Sequence, residues 1–131
     1  MFKLTRRLEY ALIALRHLSD KENHYISAKQ ISRQYTIPQE LLAKILQKMS
    51  KLEYIDAVKG PNGGYKLNKK LSAVSLAKFI EDIEGPIGMV ECTTTDDCLQ
   101  LDNCNIRLPI NKINDNIRSI FSNISLSEIT N

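Results

Sequence analysis

A chain of 131 residues is long enough for one domain that buries a core without disulfides or metals to hold it. Apolar residues make up 43% and charged residues 25%, an ordinary globular composition, and the longest apolar run, Tyr10 to Leu15, is far too short to span a bilayer. Residues 1–70 carry fourteen Lys/Arg against six Asp/Glu, whereas residues 71–131 carry four against nine, an asymmetry that fits a basic face for a polyanion and a separate acidic region.

In chain order, residues 3–20 read as an amphipathic helix with Leu4, Leu8, Ala11, Leu12, Leu15 and Leu18 on one stripe. Lys3, Arg6, Arg7, Glu9, Arg16 and Asp20 spread charge along this whole stretch, unlike a secretion signal, so a cytoplasmic location with no membrane partner is expected. Ser27-Ala28-Lys29-Gln30 has the form of a capping box and opens a short helix ending near Tyr35. Thr36-Ile37-Pro38-Gln39 starts the next helix, because a first turn tolerates proline's missing N–H, and Leu41, Leu42, Ile45, Leu46, Met49 and Leu52 keep the period. Two helices across so short a break make a helix-turn-helix pattern, weak as a signal on its own.

The segment that follows sharpens it. Residues 54–59 and 65–68 read as paired strands around Gly60-Pro61-Asn62-Gly63-Gly64, with the Asn-Gly pair as the hairpin signal. Lys59, Lys66, Lys69 and Lys70 place four positive charges near the ends of this hairpin. The turn is not a phosphate-binding loop of the Lys-Ser/Thr type, since no such pair follows it and it opens a strand. A helix over 75–84 should stop at Gly85-Pro86, after which the pattern dissolves into an acidic stretch. Beyond that, Ile106, Ile110, Ile113, Ile117, Ile120 and Ile124 recur at alternating spacings of four and three, the seam of a coiled coil, for which a homodimer is the economical partner; a helix packed on its own domain is the alternative. Ser125 to Glu128 is placed to cap one last turn.

The chain's three cysteines, Cys92, Cys98 and Cys104, are evenly spaced, with five residues between neighbours. An odd count argues against a disulfide framework. Glu91, Asp96, Asp97 and Asp102 lie among them, a setting ill suited to a buried apolar thiol or to an activated nucleophile, and nothing else in the chain points to an enzyme. Three soft ligands in one loop suit an iron–sulfur cluster or zinc, although structural zinc prefers closer cysteine pairs; a thiol switch or inert cysteines complete the alternatives.

The stretch Ile37-Pro38-Gln39-Glu40-Leu41-Leu42-Ala43-Lys44, the Val58-Lys59-Gly60-Pro61-Asn62-Gly63-Gly64-Tyr65 hairpin and the cysteine spacing together resemble the iron–sulfur cluster regulator (IscR) and nitric-oxide-sensing repressor (NsrR) type of transcription factor. The resemblance covers nearly the whole chain. It implies a mostly α fold with a small β-hairpin wing: a winged helix-turn-helix DNA-binding region over 1–70, a connecting helix and cysteine loop over 71–104, and a long dimerisation helix and tail over 105–131. It implies a homodimer that binds double-stranded DNA at a palindromic operator under control of its cluster, as a repressor or a dual regulator responding to redox state or nitric oxide. Cys92, Cys98 and Cys104 would be cluster ligands, with two or four irons left open.

In one branch of that family a histidine three places after the last cysteine completes the ligand set; here that position is Arg107, which cannot ligate iron. In other branches an acidic residue of the first helix reaches over from the partner subunit, and Glu9 stands at the matching position. Pairing with Arg6 at i, i+3 is the competing role for Glu9. His17 and His24 match no ligand position and read as surface residues. Of the implied DNA contacts, Pro38, Gln39, Glu40 and Lys44 are expected nearest base edges, with Arg6, Lys48, Lys59 and Lys66 nearer phosphates and Asn62 at the wing tip. A small iron–sulfur electron carrier and a cluster-free thiol or zinc regulator are the rival readings; the carrier has no need of a basic wing.

Overall fold

The computed structural model describes residues 3–88 and 104–130. Thr5 opens helix α1 (Arg6–Asp20), its hydroxyl accepting the Leu8 N–H at 3.1 Å. Leu4 therefore stands one residue ahead of the cap, exposed, and does not join the expected stripe. Leu8, Ala11, Ala14, Leu15 and Leu18 face inward. The capping box at Ser27 forms as expected: the Gln30 N–H donates to the Ser27 hydroxyl and the Ser27 N–H to the Gln30 side chain, starting α2 (Ala28–Tyr35).

Helix α3 (Gln39–Lys51) follows, with Pro38 at the cap position rather than inside the first turn. Its Leu42, Ile45, Leu46 and Met49 pack with the buried residues of α1 and with Ile31 of α2. Fully burying each such side chain is worth roughly 1.5–3 kcal/mol. Strands β1 (Ile55–Val58) and β2 (Gly64–Leu67) pair antiparallel, Ile55 opposite Leu67 and Val58 opposite Gly64. The hairpin is tied back by Ile26, which exchanges two backbone hydrogen bonds with Tyr65 at 2.9 and 2.8 Å.

The hairpin turn differs from the Asn-Gly form expected. The Gly63 N–H donates to the Gly60 carbonyl at 3.0 Å, so Pro61 and Asn62 are the central pair, and Asn62 has no positive φ. Proline at the first central position presets a turn of this kind. The glycines serve close approach instead: a Cβ on Gly63 would lie 2.1 Å from the Val58 oxygen, and one on Gly64, at φ 149°, 2.6 Å from the Ile26 backbone.

A 3₁₀ turn (Leu71–Ala73) precedes α4 (Leu76–Glu84), which is capped by Ser75 and ends at Gly85. Helix α5 (Arg107–Ser122) carries Pro109 in its first turn, where an N–H has no helical partner. The described chain forms two compact units, Met1–Ala73 with Ser127–Asn131, and Val74–Leu126. Within the second unit α4 packs on α5, Arg118 Nε donates to Glu81 at 2.6 Å, and buried Asn114 donates to the Ile87 carbonyl at 3.2 Å.

The isoleucine seam is shorter than its spacing implies. Asn123 ends α5, and Ile124 turns away from the helix axis so that its carbonyl accepts the Leu76 N–H at 2.7 Å, while Ser125 bridges Ser75. The chain then closes on α6 (Leu126–Thr130), the last turn that Ser125 to Glu128 anticipates.

Candidate nucleic-acid interface

The turn between α2 and α3 is held by its own backbone. Thr36 adopts the left-handed conformation, the Ile37 N–H donates to the Ser32 carbonyl at 3.0 Å, and the Ser32 hydroxyl donates to the Ile37 carbonyl. With Ile37 buried, the angle between the two helices is fixed from both sides. Pro38 makes no side-chain hydrogen bond to the start of α3, where the positive end of the helix dipole lies.

Opposite the buried stripe, α3 presents Gln39, Glu40, Lys44, Gln47, Lys48 and Lys51, all exposed. Pro38, Gln39, Glu40, Lys44 and Lys48 thus lie on or just ahead of one accessible face, while Lys59 and Asn62 are exposed on the hairpin. Lys66 is only half-exposed, its ammonium 5.3 Å from the centre of the Tyr25 ring. Arg6 sits at the start of α1 and pairs with Glu9 at 3.2 Å.

Gln47 and Lys51 escaped the sequence reading. They line, with Ser50 of α3 and with Val58, Lys59 and Tyr65 of the hairpin, an open cleft of about 420 Å³. The signal was available: both continue the helical period of Lys44 and Lys48.

His17 corrects an expectation. It is buried, 6% exposed, its Nδ1 lies 2.9 Å from the Tyr35 hydroxyl, and the two rings meet edge to face at 5.4 Å. Burial first, and the nearby Lys21 charge second, hold its pKa below the ordinary 6.5, with Asp20 opposing. The histidine therefore joins α1 to α2 as a neutral group. His24 is exposed, as expected.

Cys92 and Cys98 lie outside the described residues; Cys104 is described, half-buried, three residues ahead of α5. Among the described residues no cluster of three or more His, Cys, Asp or Glu is placed to hold a metal. None of the described helices is long and apolar enough to cross a membrane.

A helix-turn-helix with an exposed cationic second helix, followed by a tied-back basic hairpin, defines a winged helix-turn-helix transcriptional regulator. The profile of the Rrf2 family, iron-dependent transcriptional regulators, matches residues 4–131, and the chain belongs to that family, whose members are regulators and not enzymes. It is 29% identical over 113 residues to the HTH-type transcriptional regulator NsrR of Bacillus licheniformis, covering 84% of this chain and 79% of that protein. The fold matches CymR, the global cysteine regulator of B. subtilis, with a TM-score of 0.75 at 21% identity over 99% of this chain and 97% of that one. It also matches T. potens IscR, with a TM-score of 0.72 at 18% identity over 98% of this chain and 85% of that one.

Proposed function

We propose that the protein is a cytoplasmic, homodimeric repressor whose DNA binding depends on an iron–sulfur cluster, and which thereby senses cluster status, redox state or nitric oxide. The observation that carries the DNA reading is the exposed face of α3, polar and cationic from Gln39 to Lys51, beside a wing whose Lys59 shares a cleft with it. Pro38, Gln39, Glu40 and Lys44 meet base edges in the major groove; Lys48, Lys59, Lys66, Asn62 and Arg6 serve the sugar-phosphate backbone, with Lys66 reaching it from the Tyr25 ring. Two copies joined along α5 set two such modules about one helical turn apart, roughly 34–36 Å, on a palindromic duplex.

For the cluster, the support is the chemistry of the donor set: three evenly spaced thiols just ahead of α5 and no fourth cysteine in the chain. Cys92, Cys98 and Cys104 would hold it, with Glu9 of the partner subunit as the fourth ligand. When bound, such a cluster supplies a centre that reacts with oxidants and nitric oxide, most readily at an iron held by carboxylate oxygen.

The test is anaerobic purification followed by absorption and Mössbauer spectra and DNA-binding titrations with and without nitric oxide. A brown protein that loses specific DNA affinity on nitrosylation is expected, and Glu9→Ala should alter the spectrum while leaving fold and dimer intact. Colourless, iron-free protein that binds its operator under thiol control overturns the cluster and supports the cluster-free regulator. A brown protein that binds no duplex overturns the regulator in favour of an electron carrier.

A further inference from the structure

Of the four lysines near the wing, Lys69 is placed unlike the others. Its ammonium donates to the Leu52 carbonyl at 3.2 Å and lies 4.1 Å from the centre of the Tyr54 ring. Leu52 is the residue that closes α3, so the charge stands at the negative end of that helix's dipole. Asn68 makes a parallel connection, its amide donating to the Glu53 carbonyl at 3.1 Å. The backbone adds two more: the Asn68 and Lys69 N–H groups both donate to the Tyr54 carbonyl, at 3.0 and 3.3 Å. Tyr54 is fully buried and its own N–H returns to Met49 of α3 at 3.0 Å.

Residues 68 and 69 leave the wing directly after β2, and residues 52 to 54 enter it directly before β1. Both feet of the hairpin are thus fastened to the C-terminal end of α3 at one point. The cleft of about 420 Å³ lies between that helix and the wing, so its width follows from the angle set there. Lys59 and Lys70, by contrast, are exposed.

Resting on the reading of α3 and the wing as the DNA-binding surface, we propose that Lys69 is a positioning residue: it fixes the wing's angle to α3 through Leu52 and Tyr54, and contributes to DNA affinity by this preorganisation and not as a phosphate contact. A wing that samples other angles binds with an affinity lowered by the fraction of time it is misplaced.

The experiment uses the full-length dimer, an operator duplex and a scrambled duplex, and three variants. Lys69→Met keeps the stem against Tyr54 and removes the ammonium, Lys69→Arg keeps a cationic donor, and Lys59→Ala is the phosphate-contact control. Lys69→Met should lower operator affinity by up to roughly 10-fold, the most that one hydrogen bond can shift the wing's population. Its plot of log affinity against log salt should keep the wild-type slope, and amide hydrogen exchange in β1, β2, Asn68 and Lys69 should quicken in the DNA-free protein. Lys69→Arg should restore both. Lys59→Ala should instead flatten the salt slope by about one, leaving wing exchange as in wild type.

A salt slope flattened by about one in Lys69→Met with unchanged wing exchange makes Lys69 a phosphate contact and overturns the proposal. So does a Lys69→Met protein matching wild type in affinity and exchange. Should Lys69→Met fail to fold, Asn68→Ala, which removes one side-chain bond of the same clamp, must show the smaller effect of the same kind. If wild type binds no duplex at all, the DNA reading fails, while wing exchange in the DNA-free protein still decides whether Lys69 holds the hairpin.

Discussion

Helices α3 and α5 are both amphipathic and of similar length, 13 and 16 residues, yet they spend their faces in opposite ways. Helix α3 buries Leu42, Ile45, Leu46 and Met49 and leaves charged and amide side chains to water. Along α5 the one buried residue is a polar one, Asn114, while Ile113 and Ile120 stand 45% and 59% exposed and Leu108 81%. Water solvates the first face at no cost. On the second it meets large apolar side chains whose burial is worth roughly 1.5–3 kcal/mol each. The contrast teaches that period alone does not assign a face. What decides is whether the residues left over after internal packing are ones that water tolerates: those of α3 suit a polyanion, and those of α5 suit another apolar helix.

The sharpest way to break this comparison is to make α5 resemble α3. Ile113→Asp with Ile120→Asp changes only exposed positions, sparing half-buried Ile117, and should leave each chain folded while splitting the proposed dimer. Loss of bivalency should then weaken operator binding by ~10²–10⁴-fold. Analytical ultracentrifugation at micromolar concentration checks it, and a still dimeric variant removes α5 as the interface. Next in size, Gln39→Ala should cost about 1–3 kcal/mol of discrimination between operator and single-base variants, with the salt slope unchanged, read by competition titration. Ser27→Ala removes the hydroxyl that starts α2 and should lower unfolding stability by about 1 kcal/mol in urea titrations, leaving α5 and dimer affinity untouched.

The smallest effect concerns His17. Because its folded pKa lies below 6.5, the unfolded chain takes up a proton that the native state refuses. Its contribution to stability is therefore present above pH 6.5 and is lost as the pH falls through the lowered folded value. Denaturation at pH 7.5 and 5.5 should show a smaller loss on acidification for His17→Phe than for wild type; equal losses would mean that the imidazole binds its proton equally well in the folded and unfolded chain.

Local chemistry was legible and long-range chemistry was not. The capping box at Ser27, the helices from α1 to α5 and the pairing of the wing strands all follow from signals a few residues apart. The burial of His17 was half legible, since it follows Ala14 by three on a buried face, but Tyr35, which satisfies it, lies 18 residues away. Asn-Gly dominated the reading of the wing turn because its preference for positive φ is strong, whereas Pro61 and the close approach at Gly63 settled the geometry. Ile124 kept the seam's spacing in sequence and lost it in space, because a backbone bond to Leu76 outcompeted another helical turn. Lys69 read as surface charge for the same reason: nothing in its neighbourhood of sequence announces the Leu52 carbonyl.

The stitching of Ile124 to Leu76 and of Leu126 to Val74 has one more consequence. The Leu126 N–H donates to the Val74 carbonyl at 2.9 Å, so the unit from Val74 to Leu126 begins and ends at the same spot, like an inserted cassette. The entry at Val74 and the exit at Leu126 are thus held to each other by backbone bonds of their own, and no side chain is needed to keep them in register.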